Sequence, residues 1–355
     1  MSHNAPPVSS LASADEILPR GTVLDCTLRE GPYECRFDAA SAATITRALI
    51  AAGVRHIEVG AETGLASRDD VNDIAAILVS KEAEPDATVG VIAGVGTASK
   101  ADLQQAAAAG AAFVRVAAPA LRWQEALPMI DAVCSLGLVA TFNAINAHKV
   151  DTHNFARLAR ETTAAGAALV YLVDSAGTML PSDVSSRTIA AREAGARVGF
   201  HGHDNLTLAV ANSLAALEAG AWAVDGTLRG IGRSAGNAQL EILAAVIRLR
   251  TGTVVADTDA LAQVAEEVIA PRRRRDRGVG YLDQCMGEGG FHSAGLTTAL
   301  DIAAQHGVPA GPLLRGAGLR WDASSTIAAI TDTAVALRAG LRPLVTPDTT
   351  EAGAE

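Results

Sequence analysis

Short runs rich in β-branched and other apolar residues recur along the chain at near-regular intervals. They are TVLDCT (22–27), RHIEVG (55–60), TVGVIA (88–93), AFVRVA (112–117), LVATFN (138–143), ALVYLVD (168–174), ARVGFH (196–201) and WAVDGT (222–227). Ala-rich amphipathic stretches precede them and often close on Gly, as in ALIAAG, QQAAAAG, ARETTAAG, AAREAG and SLAALEAG. A glycine that ends a helix just before an apolar strand is the mark of an αβ loop. The strands carry few polar residues in their middles, as parallel strands covered on both faces do. Eight such strand–helix units predict a (β/α)8 TIM barrel over residues 21–250. The competing layout is an open doubly wound sheet, but no G-x-G-x-x-G turn follows the first strand.

Beyond residue 250 the period changes. DALAQVAEEVIA, TTALDIAAQHG and STIAAITDTAVALRAG read as helices, and no strand pattern appears. Residues 251–342 are therefore expected to form a small C-terminal helical domain. Residues 1–20 and 343–355 read as flexible tails.

Composition narrows the function. Apolar residues make up 49% of the 355-residue chain and aromatic residues only 3%, while the formal net charge is −10. That charge disfavours a nucleic-acid partner, and so few rings make a poor stacking platform for single strands. No apolar run reaches the length of a membrane span, and the N-terminus lacks the pattern of a secretory signal. Cys26, Cys35, Cys134 and Cys285 form no C-x-x-C pair, which points to a reducing cytoplasm.

Function in a barrel sits where the strands end. The first strand runs into Asp25-Cys26-Thr27-Leu28-Arg29-Glu30-Gly31, and the seventh into His201-Gly202-His203-Asp204-Asn205. Residues i and i+2 of an extended chain share a side, so His201 and His203 project together. With Glu30 as the carboxylate, they compose a facial divalent-metal site with open positions. The bland alternatives are a surface ion pair and two satisfied loop histidines. The sixth strand ends in Asp174-Ser175-Ala176-Gly177-Thr178, where small residues beside backbone N–H groups offer a carboxylate seat. The glycines of GTLRGIGRSAGNAQLEIL (226–243), with Asn237 near the next helix, form either an anion cradle or a tight barrel-closing loop. The arginine run in APRRRRDRGVGY (270–281) reads as a solvated face or as a reach toward an anionic substrate, with Tyr281 presented by a close turn or held in the core.

The segments DCTLREG, HGHDNLTLAVANSLAALEAG and DGTLRGIGRSAGNAQLEIL, with YLVDSAGTM, GVGY and DIAAQHGVPAGPLL, resemble the DRE-TIM metallolyases. Within that superfamily the chain is most similar to the 4-hydroxy-2-oxovalerate aldolases. The resemblance implies a TIM barrel with a C-terminal helical domain and a divalent metal, Mn²⁺ or Mg²⁺. It also implies carbon–carbon bond chemistry beside a pyruvate enolate, with a 2-oxo acid and an aldehyde as small-molecule partners. By position, Glu30, His201 and His203 become metal ligands and Arg29 the group that stabilises the enolate oxygen. Ser175 and Gly177 lie beside the pyruvate carboxylate through backbone N–H groups, and Asn237 reaches the metal region. Two departures stand out. Glu30 takes the place of the aldolases' Asp, as in homocitrate synthases. Tyr33 stands where the aldolases have a general-base His, so Tyr33, Tyr281 and His292 are the candidates for proton transfer. A Claisen-type synthase joining an acyl-CoA to a 2-oxo acid is the rival enzyme reading; a non-catalytic metabolite-binding barrel is the other. The resemblance further implies an acylating aldehyde dehydrogenase as a possible partner through the C-terminal helices, and homodimerisation is a second expectation.

Overall fold

Eight parallel strands close into a ring in sequence order. They are β1 Thr22–Asp25, β2 His56–Val59, β3 Thr88–Gly94, β4 Phe113–Pro119, β5 Val139–Ile145, β6 Leu169–Asp174, β7 Val198–Gly202 and β8 Ala223–Gly226. β8 pairs with β1, with Leu24 opposite Asp225. The computed structural model describes residues 13–35, 37–60, 87–273, 278–320 and 326–341. Every predicted strand is present within about two residues of its expected limits, and the closed ring replaces the open-sheet alternative.

Side-chain parity divides the barrel interior into layers. Leu24 and Cys26, Phe113 and Arg115, Leu169 and Tyr171, and Ala223 and Asp225 are pairs two apart on one strand, so each pair shares a face. The first member of each is apolar, and all four pack together in one buried cluster with Ile17 and Leu18. The second members lie one layer nearer the strands' C-terminal ends, where Arg115 and Asp225 meet Glu58 and Asn143. The barrel therefore has an apolar floor under a charged upper layer.

Helices α1 (Ala14–Ile17) and α2 (Thr27–Glu30) flank β1 at its two ends. The larger helices wrap the ring: α3 Ala39–Ala51, α4 Lys100–Ala109, α5 Leu127–Ser135, α6 Thr152–Ala164, α7 Pro181–Glu193, α8 Ala209–Glu218 and α9 Leu240–Thr251. Their Ala-rich faces and the outward faces of the strands form one continuous core.

Two boundaries differ from the sequence expectation. Residues 14–18 are not a loose tail: Ser13 caps α1 through a reciprocal capping box, Ile17 and Leu18 are buried, and Trp222 Nε1 donates to Leu18 O at 2.8 Å. Residues 256–269 belong with the barrel rather than with the C-terminal helices. Ala256, Leu261, Ala265 and Ile269 join the barrel core, α10 (Thr258–Val264) packs on α3 and α9, and Asp257 N donates to Ala52 O at 2.7 Å. A separate core then forms from α11 (Tyr281–Gly289), α12 (Leu296–His306), α13 (Ala310–Arg320) and α14 (Thr326–Arg338), centred on Met286, Phe291, Leu313, Leu314 and Ile330. The remaining tail expectations, residues 1–12 and 343–355, lie outside the described residues, as do Arg274 and Arg275 of the arginine run.

This second core docks on loops at the strands' C-terminal ends. His148 Nε2 lies 3.1 Å from Gly290 O, Lys149 Nζ donates to Gly318 O, and Ser234 Oγ donates to Asp283 Oδ1 at 2.8 Å. The helical segment thus covers the barrel mouth beside the loops after β5, β7 and β8.

The floor has no spare volume at Gly90. Its register partner Phe113 is fully buried, and a Cβ at Gly90 would fall 2.1 Å from the Phe113 ring. Gly90→Ala is expected to destabilise the fold by about 1–3 kcal/mol through overpacking. Adding Phe113→Leu should recover part of that loss, because the two changes share one contact. Urea titration of the single and double variants measures both terms; strictly additive losses would contradict the contact.

Candidate metal centre and active site

The site begins with a sharp turn after β1. Asp25 carboxylate accepts from Thr27 N at 3.0 Å and from Thr27 Oγ1 at 2.6 Å, and Thr27 Oγ1 in turn accepts from Leu228 N at 2.8 Å. These bonds start α2 immediately and tie it to the loop after β8. The turn sends both Arg29 and Glu30 inward, where they are 6% and 1% exposed.

Such burial demands partners. Arg29 Nη1 pairs with Glu30 Oε1, and Arg29 Nε donates to Glu58 Oε2 at 2.9 Å. Glu58 Oε2 also accepts from Arg115 Nη1 at 3.0 Å and from Cys26 Sγ at 3.1 Å. Arg115 is fully buried; its Nη2 reaches Asp225 Oδ2 at 2.7 Å, its Nε reaches Asn143 Oδ1 at 3.1 Å, and its guanidinium lies 3.9 Å over the Tyr171 ring. Asp225 Oδ2 sits 3.0 Å from His201 Nδ1. Charge therefore runs without a break from Arg29 through Glu58, Arg115 and Asp225 to His201. A neutral imidazole that donates Nδ1–H to Asp225 turns its Nε2 lone pair toward Glu30, whose Oε1 is 3.9 Å away.

His201 and His203 project to one side, as their spacing predicts. Their rings meet edge to face at 5.3 Å. Burial, with Arg29 and the neighbouring imidazole behind it, pushes the His201 pKa well below the ordinary range; burial lowers His203 as well. Both rings are neutral at neutral pH. Burial alone would raise the Glu30 carboxyl, but Arg29 and the His203 and His201 rings outweigh it and hold the pKa at about 2.

The three predicted ligands converge. One ligand atom each from Glu30, His201 and His203 lies within 4.8 Å of the others. Glu30 Oε2, His203 Nδ1 and Asn237 Oδ1 are all buried without a hydrogen-bond partner among the described residues. Orphaned buried acceptors are costly unless something else satisfies them. A Cβ at Gly232 would fall 2.1 Å from Asn237 Nδ2 and 3.0 Å from Glu30 Oε2, so only glycine leaves this group uncovered. One carboxylate, two neutral imidazoles and a spare amide oxygen fit a divalent cation.

The other predicted site residues fall less evenly. Asn237 is buried and its backbone bridges to His203, in line with its expected place by the metal. Tyr33, on the turn Gly31–Tyr33, is half-buried; Arg233 Nη2 donates to its Oη at 2.6 Å, and the Arg233 guanidinium lies 4.1 Å over its ring. Burial pushes the Tyr33 phenol up to about 12, against the opposing pull of Arg233. The expected carboxylate seat is altered. Gly177 N–H is already given to Asp174 O at 3.1 Å, and Thr178 and Met179 N–H both go to the Asp174 carboxylate. Gly177 acts sterically instead: at φ 58° a Cβ would lie 2.7 Å from His203 O and Asn205 N. Ser175 is buried and accepts from Asn146 N through Oγ at 2.9 Å.

Tyr281 is not among these groups. It opens α11, is 60% exposed, and stands against Gly311 and Arg315 of α13. Burial, with Arg233, His203 and His148 adding to it, pushes the His292 pKa down to about 3, and His292 Nδ1 accepts from Ala294 N at 3.1 Å. Of the arginine run, Arg273 is no solvated charge, because it pairs with Glu34 across to the β1 turn. The 226–243 segment is a barrel-closing loop: Asn237 N donates to Gly230 O at 3.0 Å, and Leu240 N to Thr227 O at 2.9 Å.

Glu58, Arg115, Asp225 and Arg233 escaped the sequence reading. The signal for the first three was a single charge in the middle of an apolar strand, at the same parity as buried neighbours.

A family model described as HMGL-like matches residues 21–268. The chain belongs to the HMGL-like family. It is 35% identical over 308 residues to "4-hydroxy-2-oxovalerate aldolase 2" of Rhodococcus jostii, covering 84% of this chain and 90% of that protein. It is 33% identical over 325 residues to a protein of the same name, without the numeral, from Geobacillus stearothermophilus, covering 88% and 94%. In fold it resembles the carboxyl transferase domain of Rhizobium etli pyruvate carboxylase, with a TM-score of 0.72 at 18% identity over 93% of this chain and 62% of that one.

If the buried chain of charges orients His201, Asp225→Asn will lower Mn²⁺ affinity about 10–100-fold. His201→Ala should weaken it further. Electron paramagnetic resonance of free Mn²⁺ reads both; unchanged affinity in either variant would remove that residue from the metal centre.

Proposed function

We propose that this chain is a divalent-metal-dependent aldolase that cleaves or forms a 4-hydroxy-2-oxo acid, with a pyruvate enolate between the two halves. The observation that carries the reading is the convergence of unsatisfied Glu30, His203 and Asn237 atoms beside a fully paired, buried Arg29. The ligands would be Glu30, His201 and His203, with Asn237 alongside, and Mn²⁺ or Mg²⁺ is the expected ion. When bound, the ion supplies Lewis acidity to the 2-oxo end of the substrate.

This chain's own residues do the rest. Cleavage breaks the C3–C4 bond, its electron pair passes to C3 and the C2 carbonyl, and the C4 hydroxyl becomes an aldehyde by losing its proton. Arg29, immobilised by Glu30 and Glu58, offers preorganised positive charge to the oxygen at C2. Tyr33 keeps its proton at neutral pH and so serves the C4 oxygen as a hydrogen-bond donor rather than as a standing base. His292, whose Nδ1 accepts from Ala294 N–H, is the group proposed here to take the C4 proton. Tyr281 has no part in this scheme. Ser175, in the loop after β6, lies beside the pyruvate carboxylate, and Gly177 shapes that loop.

The Arg29-Glu30 pair alone fits an acyl-CoA-condensing enzyme equally well. The aldolase reading is supported by relatives of that name that align along most of the chain. An acylating aldehyde dehydrogenase docked on the C-terminal helices and a homodimer belong to the same reading, and co-purification and analytical ultracentrifugation test them. Four free thiols suit a reducing cytoplasm.

The deciding assay follows pyruvate release from 4-hydroxy-2-oxo acids and its reverse with aldehydes. Activity should fall more than about 100-fold on chelation and return with Mn²⁺ or Mg²⁺. His292→Ala should lower kcat by about 10²–10⁴ and Tyr33→Phe by much less. Turnover by chelated protein at the full rate overturns the metal mechanism; a larger loss in Tyr33→Phe than in His292→Ala returns the base to Tyr33.

A further inference from the structure

A cavity of about 410 Å³ opens at the other end of the barrel, beside the N-terminal ends of β7 and β8. That volume is within the range of small-molecule sites. Arg20 reaches it from the turn into β1, Ile189, Arg192 and Glu193 from α7, and Arg197 and Trp222 from just before β7 and β8. Main-chain bonds draw these walls together: Gly21 N donates to Trp222 O at 2.8 Å, and Trp222 N to Val198 O at 2.6 Å. The centre around Glu30, His201 and His203 lies at the opposite ends of the strands.

Three guanidiniums border the cavity, and only one has an anionic partner. Arg197 pairs with Asp15 and lies 4.3 Å over the Trp222 ring. Arg192 is held through Nη1 alone, which donates to Ala219 O at 2.7 Å. Its guanidinium rests on Gly220, where a Cβ would fall 2.5 Å from Nη1. Arg20 is exposed and has no hydrogen bond or ion pair among the described residues. Glu193 borders the same space but forms no ion pair with Arg20 or Arg192 among the described residues. Two uncompensated cations thus share one concavity, and an anion between them relieves their repulsion. Ile189, 43% exposed, and the Trp222 ring add an apolar wall.

We propose that this cavity binds a phosphate monoester with an apolar body, its phosphate between Arg20 and Arg192 and its body against Ile189 and Trp222. Such an ester carries about −1.5 to −2 charge at pH 7, which matches two uncompensated cations; a monocarboxylate matches one. Planar guanidinium forks suit phosphate oxygens. An inorganic ion is far smaller than the cavity and leaves the apolar wall unused. The site is separate from the metal centre, and it holds whatever reaction that centre catalyses.

The probes are phenyl phosphate, isophthalate, benzoate and inorganic phosphate, titrated calorimetrically into the full-length chain with and without Mg²⁺. Phenyl phosphate should bind at least about tenfold more tightly than each of the others, and equally well in both conditions. Arg20→Gln and Arg192→Gln should each weaken it about tenfold, with thermal melts showing that the variants fold. Arg20→Gln breaks no contact among the described residues, so it decides the matter if Arg192→Gln, which loses the bond to Ala219 O, does not fold. Inorganic phosphate binding as tightly as phenyl phosphate means an adventitious ion only and overturns the site. Tighter binding of isophthalate overturns the choice of a phosphate ester. Binding that requires Mg²⁺ puts the probe at the metal centre and overturns the proposal, as does an unchanged affinity in Arg20→Gln or no binding of phenyl phosphate at all.

Discussion

The centre depends on one buried cation. Arg115 lies inside the barrel with no exposed surface and pairs with Glu58 on one side and Asp225 on the other. Each of those carboxylates passes its charge upward, Glu58 to Arg29 and Asp225 to His201. Removing one member of such a set leaves an uncompensated buried charge, at a cost of about 3–5 kcal/mol. The same bonds fix the groups that face the ligand, so stability and preorganisation rest on the same atoms. A hydrophobic replacement of the whole set would fill the interior, but it would leave Arg29 and His201 without orientation.

The architecture was legible because periodicity is local. Each strand announced itself through β-branched residues and each helix through an Ala-rich face closing on glycine, and ring closure followed from the number of units. Glu30, His201 and His203 were legible because they sit at strand ends, where barrel function concentrates, and because parity forces His201 and His203 to one side.

What was not legible depends on contacts between distant strands. Glu58, Arg115 and Asp225 belong to β2, β4 and β8, and a lone charge in an apolar run gives no hint of its partner on another strand. Tyr281 shows the limit of a turn signal: the preceding Gly-Val-Gly presents the ring but does not give its direction, and the ring stands beside Arg315. The boundary at residue 250 failed because helical periodicity does not say against which core a helix packs; Leu261 and Ile269 chose the barrel. At Gly177 small size suggests a carboxylate seat, but the His203 and Asn205 backbone fills the space beside it and the amide is already given to Asp174 O.

The short helix before β1 has a consequence for access. Ile17 and Leu18 pack into the lower end of the barrel, and Trp222 and Arg197 hold them there through Leu18 and Asp15. Among the described residues, that plug closes the charged interior from below, so the groups gathered around Glu30 and His203 open toward the loops at the opposite end of the strands.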